Sequence, residues 1–405
     1  MKELDIYLGE EKLGLVRVES VRGKEVFSFS YDDAWLKKDE VLAIDPDVLP
    51  SAGEQYPVGK EVFGFLGDIA PDRWGRRLIR RKEAQLARRE KRSERTLLAS
   101  DFIVGAYDLT RTGAVRVMLD GKFVSSDSSK PAPPWTTLRT LEECARKIDA
   151  DEDGQDARWI DVLLAPGSSL GGARPKANVT DEKGLLWIAK FPSANDEWDV
   201  GAWEFLVSRL AAAAGLRVSD TRLERFSKAG STFFSRRFDR EGERRMHYAS
   251  AMTMSGASDG EEGHSYLDVA EFLVREGARP DEDLGELWSR IVFSRLVGNS
   301  DDHLRNHGFI LDRGGWRLSP MFDVNPNPDA AFATLDLTPG VQGASRDELI
   351  ESAEYFHIDR SAAEKRYTEL LSAISGWQAL AQKLNIRRNE VDRMSACFCK
   401  AEFVG

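Results

Sequence analysis

Asp301 and Asn306 stand five positions apart in Gly298-Asn299-Ser300-Asp301-Asp302-His303-Leu304-Arg305-Asn306-His307. In that spacing a carboxylate can take a hydroxyl proton while the Asn oxygen holds a hard divalent ion, the division of labour used in phosphoryl transfer. A second acid, Asp323, follows in Leu318-Ser319-Pro320-Met321-Phe322-Asp323. Asp and Asn are also common turn residues, so the pattern by itself equally suits a plain loop. It gains meaning if a phosphate-binding half lies elsewhere in the chain.

Several elements must position these groups. Phe309-Ile310-Leu311, the turn Asp312-Arg313-Gly314-Gly315 and Trp316-Arg317-Leu318 predict a short hairpin. A hairpin turns the chain back, so Asp323 is expected near Asn306, with one base and two oxygen ligands at one end of a cleft. Leu284, Leu287, Trp288, Ile291, Val292, Arg295 and Leu296 repeat at helical spacing and predict a buried helix leading to Asp301.

Upstream, the run from Pro166 to Lys176 contains Ser168, Ser169, Gly171, Gly172 and Ala173. Small residues let backbone amides approach a phosphate, although a flexible turn has the same composition. Leu185 to Phe191 predicts a strand, with Leu186, Ile188 and Lys190 on one core-directed face. Lys190 there is either a ligand for nucleotide phosphates or a snorkelling edge residue. Asp199 to Ala214 predicts an amphipathic helix with the stripe Val200, Trp203, Val207, Leu210 and Ala214, stopped by Gly215. Glu204 beside that stripe is either the partner of the strand lysine or a surface charge. Ser231 to Arg240 predicts a further strand.

At the N-terminus, residues 4–8, 13–18 and 26–30 predict an antiparallel meander. Arg76 to Arg92 predicts a basic helix, read as a solvated face with a nucleic-acid patch as the alternative. Residues 121–138 are rich in Ser and Pro, and neither helix nor strand is expected there. Helices are expected over about 139–149, 362–375, 377–384 and 388–398. The 405 residues suffice for two or three domains. A net charge of −11 argues against broad nucleic-acid binding. Cys144, Cys397 and Cys399 fit a reducing cytoplasm better than a disulfide framework. The absence of a long apolar run or a signal-like N-terminus makes a cytoplasmic, membrane-free protein the expectation.

A Gly-rich loop, a strand Lys, a helix Glu, a crossing strand, a helical lobe, D-x4-N and a final Asp come in the order of a two-lobed phosphotransferase. The fold class expected is α+β, with a mixed N-terminal lobe, an extra N-terminal β subdomain and a mainly helical C-terminal lobe. The expected organisation is a subdomain over 1–120, a linker over 121–138, a nucleotide-binding part over 139–238 and a catalytic lobe over 239–405.

The sequence also resembles the HipA-type serine/threonine kinases of bacterial toxin–antitoxin modules. The resemblance is carried by Ser169-Leu170-Gly171-Gly172-Ala173-Arg174-Pro175-Lys176, Ile188-Ala189-Lys190-Phe191, Arg237-Phe238-Asp239-Arg240, Gly298 to Asn306, Leu318 to Asp323 and, nearer the N-terminus, Phe65 to Gly75. It implies that Asp301 is the base, that Asn306 and Asp323 hold Mg²⁺, and that Lys190 holds the phosphates of ATP. It places Ser169, Gly171, Gly172, Ala173, Lys176 and His303 around the nucleotide and gives backbone groups of Arg236 and Phe238 to adenine. Ser169, with Ser168 as the alternative, matches an autophosphorylated serine. The implied partners are a small helix-turn-helix antitoxin, operator DNA through that antitoxin, and a translation-related substrate such as an aminoacyl-tRNA synthetase. Two alternatives stay open: an antitoxin-bound corepressor with secondary phosphotransfer, and a small-molecule kinase of the same build.

Overall fold

The structure is a computed structural model that describes residues 1–38, 43–126, 132–150, 160, 163–164, 172–330, 334–342 and 345–399. Two compact units emerge. The first holds Met1–Ala194, Asp239–Ala249 and Gly256–Ser258; the second holds Asn195–Phe238, Ser250–Ser255 and the chain from Asp259 onward.

The first unit opens with the expected meander. Lys2–Leu8, Glu11–Val21 and Lys24–Tyr31 pair antiparallel, and Val115–Leu119 adds to the other side of the first strand. Alternation buries Leu4, Ile6, Val16, Val18, Phe27 and Phe29 on one face, against Phe65, Leu66 and Ile69 of the helix Gly64–Ile69. The Phe29 ring meets Tyr31, Phe63 and Phe65 edge-on. Two short elements interrupt the segment read as loop. Lys122–Phe123 extends the sheet, and Trp135–Thr137 forms a 3₁₀ turn. Tertiary partners supply what composition lacks: Phe123 packs on Tyr7 and beneath Arg116, and Trp135 packs edge-on against Trp187.

The basic helix spans Arg73–Glu90, capped by the Asp72 carboxylate on Gly75 N–H at 2.8 Å. Arg73, Arg80, Arg88, Arg89 and Glu90 are exposed, while several other charges are engaged within the unit. Arg77 pairs with Asp149, Glu83 is buried against Arg92, and Arg76 and Arg80 lie over Phe102. Asp149 closes the helix Leu138–Asp149 and also accepts from Ser193 Oγ at 2.6 Å. The hairpin Lys176–Thr180 and Leu186–Lys190 follows. Its deeply buried face carries Trp187 and Ala189, whereas Leu186, Ile188 and Lys190 share the half-buried face. The period was right and the side was not, because the bulky Trp187 takes the core.

In the second unit the helix Val200–Ala213 starts from an Asp199 cap. It is buried around most of its circumference, so it is less one-sided than its sequence suggested. Glu204 is 4% exposed, which excludes the surface-charge reading. The strand expected up to Arg240 ends at Arg236 and forms a hairpin, Thr221–Glu224 with Thr232–Arg236. Helices Tyr266–Glu276, Pro280–Leu296, Arg360–Ile374, Trp377–Lys383 and Arg388–Cys399 make this unit mainly helical. The hairpin Gly308–Asp312 and Gly315–Leu318 stands where the turn glycines put it. Buried Asp283 ties that hairpin to the long helix by accepting from Arg317 Nε at 2.7 Å and Leu318 N–H at 3.1 Å. The fold is α+β, and no helix among the described residues is long and apolar enough to cross a membrane.

Candidate active site

Helix Pro280–Leu296 has Pro at its start and acids in its first turn, both favoured there by the orphan amides and the helix dipole. It delivers the chain to Gly298, whose φ is +69° and whose Cβ, were there one, would sit 2.7 Å from Cys397 Cβ. Only glycine fits a left-handed conformation pressed so closely against a neighbouring helix. The loop that follows is held from outside by the returning chain. Asn299 Oδ1 accepts from Asn325 N–H at 3.3 Å, Gly298 C=O from Asn327 N–H at 2.9 Å, and Ser300 C=O from Thr334.

Within the loop a 3₁₀ turn, Leu304–Asn306, is closed by Asn306 N–H on His303 C=O at 2.8 Å. Asn306 Nδ2 donates to Asp301 C=O at 2.8 Å. Its Oδ1 is enclosed and has no hydrogen-bond partner among the described residues. Asp301 itself is exposed, as a base that must reach a substrate hydroxyl has to be. His303 is half-buried, and its Nδ1 is likewise enclosed without a partner.

Asp302 behaves differently from its neighbour. Its buried carboxylate accepts from Tyr266 Oη at 2.6 Å and meets His307 Nε2 at 2.8 Å. Burial alone would raise its pKa; the His307 charge, both hydrogen bonds and nearby Arg295 outweigh that and bring it to about 2. The Tyr266 hydroxyl is pushed well above its ordinary value by burial and by the Asp302 charge. Sequence reading gave these residues no role. Asp302 and His307 repeat the five-residue spacing of Asp301 and Asn306, but Tyr266 lies 36 positions from Asp302, beyond any local pattern.

Asp323 sits on the returning strand of chain. Ser319 N–H bonds Gly308 C=O at 2.8 Å, just past Asn306, and Asn325 reaches Asn299. The segment bearing Asp323 is therefore pinned on either side of the residue to the flanks of the loop that holds Asp301 and Asn306. Its φ is +58°, a left-handed conformation that Asp tolerates better than most residues. The preceding Phe322 packs on Phe238, ring centroids 5.6 Å apart. Arg236 N–H is engaged by Asp220 C=O at 2.9 Å, and its guanidinium by the Asp220 carboxylate at 3.0 Å.

The donor set can be tested against a bound Mg²⁺. The ion takes oxygen ligands and keeps several waters, so one or two protein ligands suffice. Asn306 Oδ1 is an oxygen without a hydrogen-bond partner among the described residues, and Asp323 is an acid on the adjoining segment; oxygen donors of these types suit the ion.

In the first unit, Lys190 is half-buried at the end of its strand, in register with Lys176. Lys176 is 2% exposed, pairs with Asp72 at 2.7 Å, and also reaches Gly172 C=O at 3.4 Å. Burial pushes the Asp72 carboxyl up, and Lys176 opposes it. Gly172 and Ala173 are exposed, and Gly172 has φ +82°. Ser168, Ser169 and Gly171 lie outside the described residues.

Comparison with known proteins gives a consistent assignment. The HipA N-terminal domain model matches residues 4–103, and the HipA-like C-terminal domain model matches residues 168–378. A Sinorhizobium fredii protein named "Putative kinase Y4mE" is 32% identical over 340 residues, covering 77% of this chain and 74% of that protein. A Haemophilus influenzae protein named "Putative kinase" is 28% identical over 199 residues, covering 43% of this chain and 57% of that one. Among solved structures, the Shewanella oneidensis MR-1 toxin–antitoxin system HipA, HipB and operator DNA complex contains a chain of similar fold. The TM-score is 0.70 and the identity 16%, covering 98% of this chain and 96% of that one. Matched in both its N-terminal and C-terminal parts by domains of one family, the chain belongs to the HipA family.

Proposed function

We propose that this chain is an ATP-dependent serine/threonine protein kinase that acts as the toxin of a type II toxin–antitoxin module in the cytoplasm. One observation carries the reading most directly: an enclosed, unsatisfied Asn306 oxygen stands in the loop that presents an exposed Asp301 at the phosphotransfer spacing. The names of the relatives support it.

Asp301 accepts the proton of an incoming Ser or Thr hydroxyl. Lys190 and the amides of the loop ending at Lys176, Gly172 and Ala173 among them, hold the phosphates of ATP, and His303 adds a ring nitrogen. Backbone groups of Arg236 and Phe238 read adenine, with Phe322 packing on Phe238. Held by Asn306 and Asp323, Mg²⁺ would neutralise charge on the β- and γ-phosphates. Lys176 acts from within its ion pair with Asp72, shaping the loop at Gly172. The acceptor is a translation-related protein such as an aminoacyl-tRNA synthetase, as the family resemblance suggests. The chain modifies itself at Ser169 or, alternatively, Ser168. A HipB-like antitoxin is its partner and carries the operator DNA contacts; the Shewanella complex supports this part.

Purified chain incubated with Mg²⁺ and γ-labelled ATP is expected to form ADP and to gain label on the peptide containing Ser168 and Ser169. Absence of both products would overturn the kinase reading. ADP without label on that peptide would remove self-modification alone.

A further inference from the structure

We propose that Tyr266, Asp302 and His307 form a buried bracket that positions the catalytic loop, a role resting on the kinase reading of Asp301. Two links cross the loop in parallel, each spanning five residues. One joins Asn306 Nδ2 to Asp301 C=O; the other joins His307 Nε2 to Asp302 Oδ1. The first ties the loop only to itself. The second is anchored outside it, because the Tyr266 hydroxyl donates to the remaining Asp302 oxygen at 2.6 Å.

The anchor is firmly set. Tyr266 is fully buried at the first turn of helix Tyr266–Glu276, behind a Ser265–Asp268 capping box. Its N–H donates to Asp336 C=O at 3.0 Å. The Arg295 guanidinium lies 5.8 Å from its ring centroid and donates to Leu335 and Gln342 carbonyls. His307 closes the other end: its C=O accepts from Ala251 N–H at 2.9 Å, and its ring meets Tyr266 edge-on at 5.5 Å. Two side chains thus meet on one carboxylate, Tyr266 from a separate helix and His307 from the far end of the loop, and each is itself held by a further segment.

Both oxygens of Asp302 are engaged, and the residue is 4% exposed. It cannot reach a substrate hydroxyl, so Asp302 is a positioning residue and Asp301 keeps the base. Its chemistry explains the adjacent acids. The inner carboxylate fixes the backbone next to the outer one, which stays exposed on a short stretch with little freedom to drift. Phosphotransfer needs that restraint, since a displacement of about 1 Å can cost about 10²-fold in rate.

The test uses the full chain carrying Asp302→Asn, Tyr266→Phe, His307→Gln or His307→Leu. Two readouts are taken: hydrogen exchange of the peptide 298–307, and kcat and KM for ADP formation from MgATP. Asp302→Asn, Tyr266→Phe and His307→Leu are expected to speed exchange in that peptide. They should lower kcat by about 10²-fold while KM for MgATP stays within about twofold. His307→Gln keeps an N–H donor and is expected to retain kcat within about threefold. Tyr266→Phe removes a single oxygen, so it serves where the others fail to fold. Unchanged loop exchange, or unchanged kcat per folded molecule beside a lowered melting temperature, would overturn the bracket. If the unmodified chain makes no ADP, the kinase reading falls, and loop exchange alone decides the bracket.

Discussion

Asn306 turns its amide nitrogen inward to the loop backbone and leaves its oxygen enclosed and unbonded. That asymmetry separates the two partners of the motif, one suited to a cation and the other, Asp301, to a proton. Asp301→Asn is expected to lower phosphate transfer by about 10²–10⁴-fold and to leave ATP affinity nearly intact. Labelled-phosphate transfer checks it, and turnover like that of the unmodified chain would remove Asp301 as the base. Asp323→Ala is expected to abolish the Mg²⁺ dependence of nucleotide affinity, because an anionic oxygen is lost. Calorimetry with a non-hydrolysable ATP analogue measures this; equal affinities would leave Asp323 a turn residue. Spacing alone made Asp301, Asn306 and Asp323 legible as candidates, since these three lie close in the chain and near a hairpin. It could not show that Lys176 is matched by Asp72, 104 positions away, or that Asp302 is matched by Tyr266.

Elements were more legible than the faces they present. Periodicity located the Leu186–Lys190 strand and the Val200–Ala213 helix closely. It misjudged which strand face is deep, because Trp187 and Leu186 are both apolar and only packing chooses between them. Asp283 illustrates the same limit at the start of helix Pro280–Leu296. Its charge looks like an ordinary first-turn acid, yet it is fully buried among Arg217, Arg317 and the Leu318 amide. Burial pushes its pKa up, and the two guanidinium groups with that amide bring it below the usual carboxylate range. A depressed folded value means the contribution is complete above about pH 4 and is lost as pH falls through the folded value. Asp283→Asn is expected to destabilise the protein by about 1–3 kcal/mol at pH 7, by removing the buried carboxylate that Arg217, Arg317 and the Leu318 amide share and leaving the two arginines to the outer acids Glu286 and Glu282. Urea unfolding at pH 7 and pH 3 checks both statements. A variant as stable as the parent at pH 7 would show that the cluster contributes little.

At the scale of the molecule, one buried group gives a pH signature. His247 has its pKa lowered to about 4 by burial, from 6.5. Between those values the unfolded chain binds a proton that the folded chain refuses, so stability falls as pH drops from 6.5 to 4, by about 1.4 kcal/mol per unit. His247→Phe is expected to flatten that part of the curve when urea midpoints at pH 7 and 4.5 are compared. Identical slopes would mean that His247 is hydrated. The path of the chain was the least legible feature. It leaves the first unit after Ala194, re-enters at Asp239 and crosses again near Ser250. Pro192 and the charged run Arg236-Arg237-Phe238-Asp239-Arg240 lie at two of those crossings, but such residues are common at ordinary loops and strand ends, so contacts made far along the chain define the crossings.

Gly298 touches Cys397 of helix Arg388–Cys399 so closely that no side chain fits between them. The same helix receives Asp199 N–H and Trp203 Nε1 on Glu390, and stacks Phe398 on Trp377 at 4.3 Å. A ribosome makes Gly298 well before Cys397; at about 5–20 residues per second the gap is on the order of 5–20 s. During that interval the loop has no floor to press against, and a nascent chain is expected to form no ADP. Chains arrested before Arg388 should therefore form no ADP from MgATP, while supplying the peptide 388–399 in trans should partly restore it. Full turnover in an arrested chain would show that the loop settles without helix Arg388–Cys399. Birth order, written into one glycine contact, would then set a delay between the making of the loop and the moment each new molecule can act.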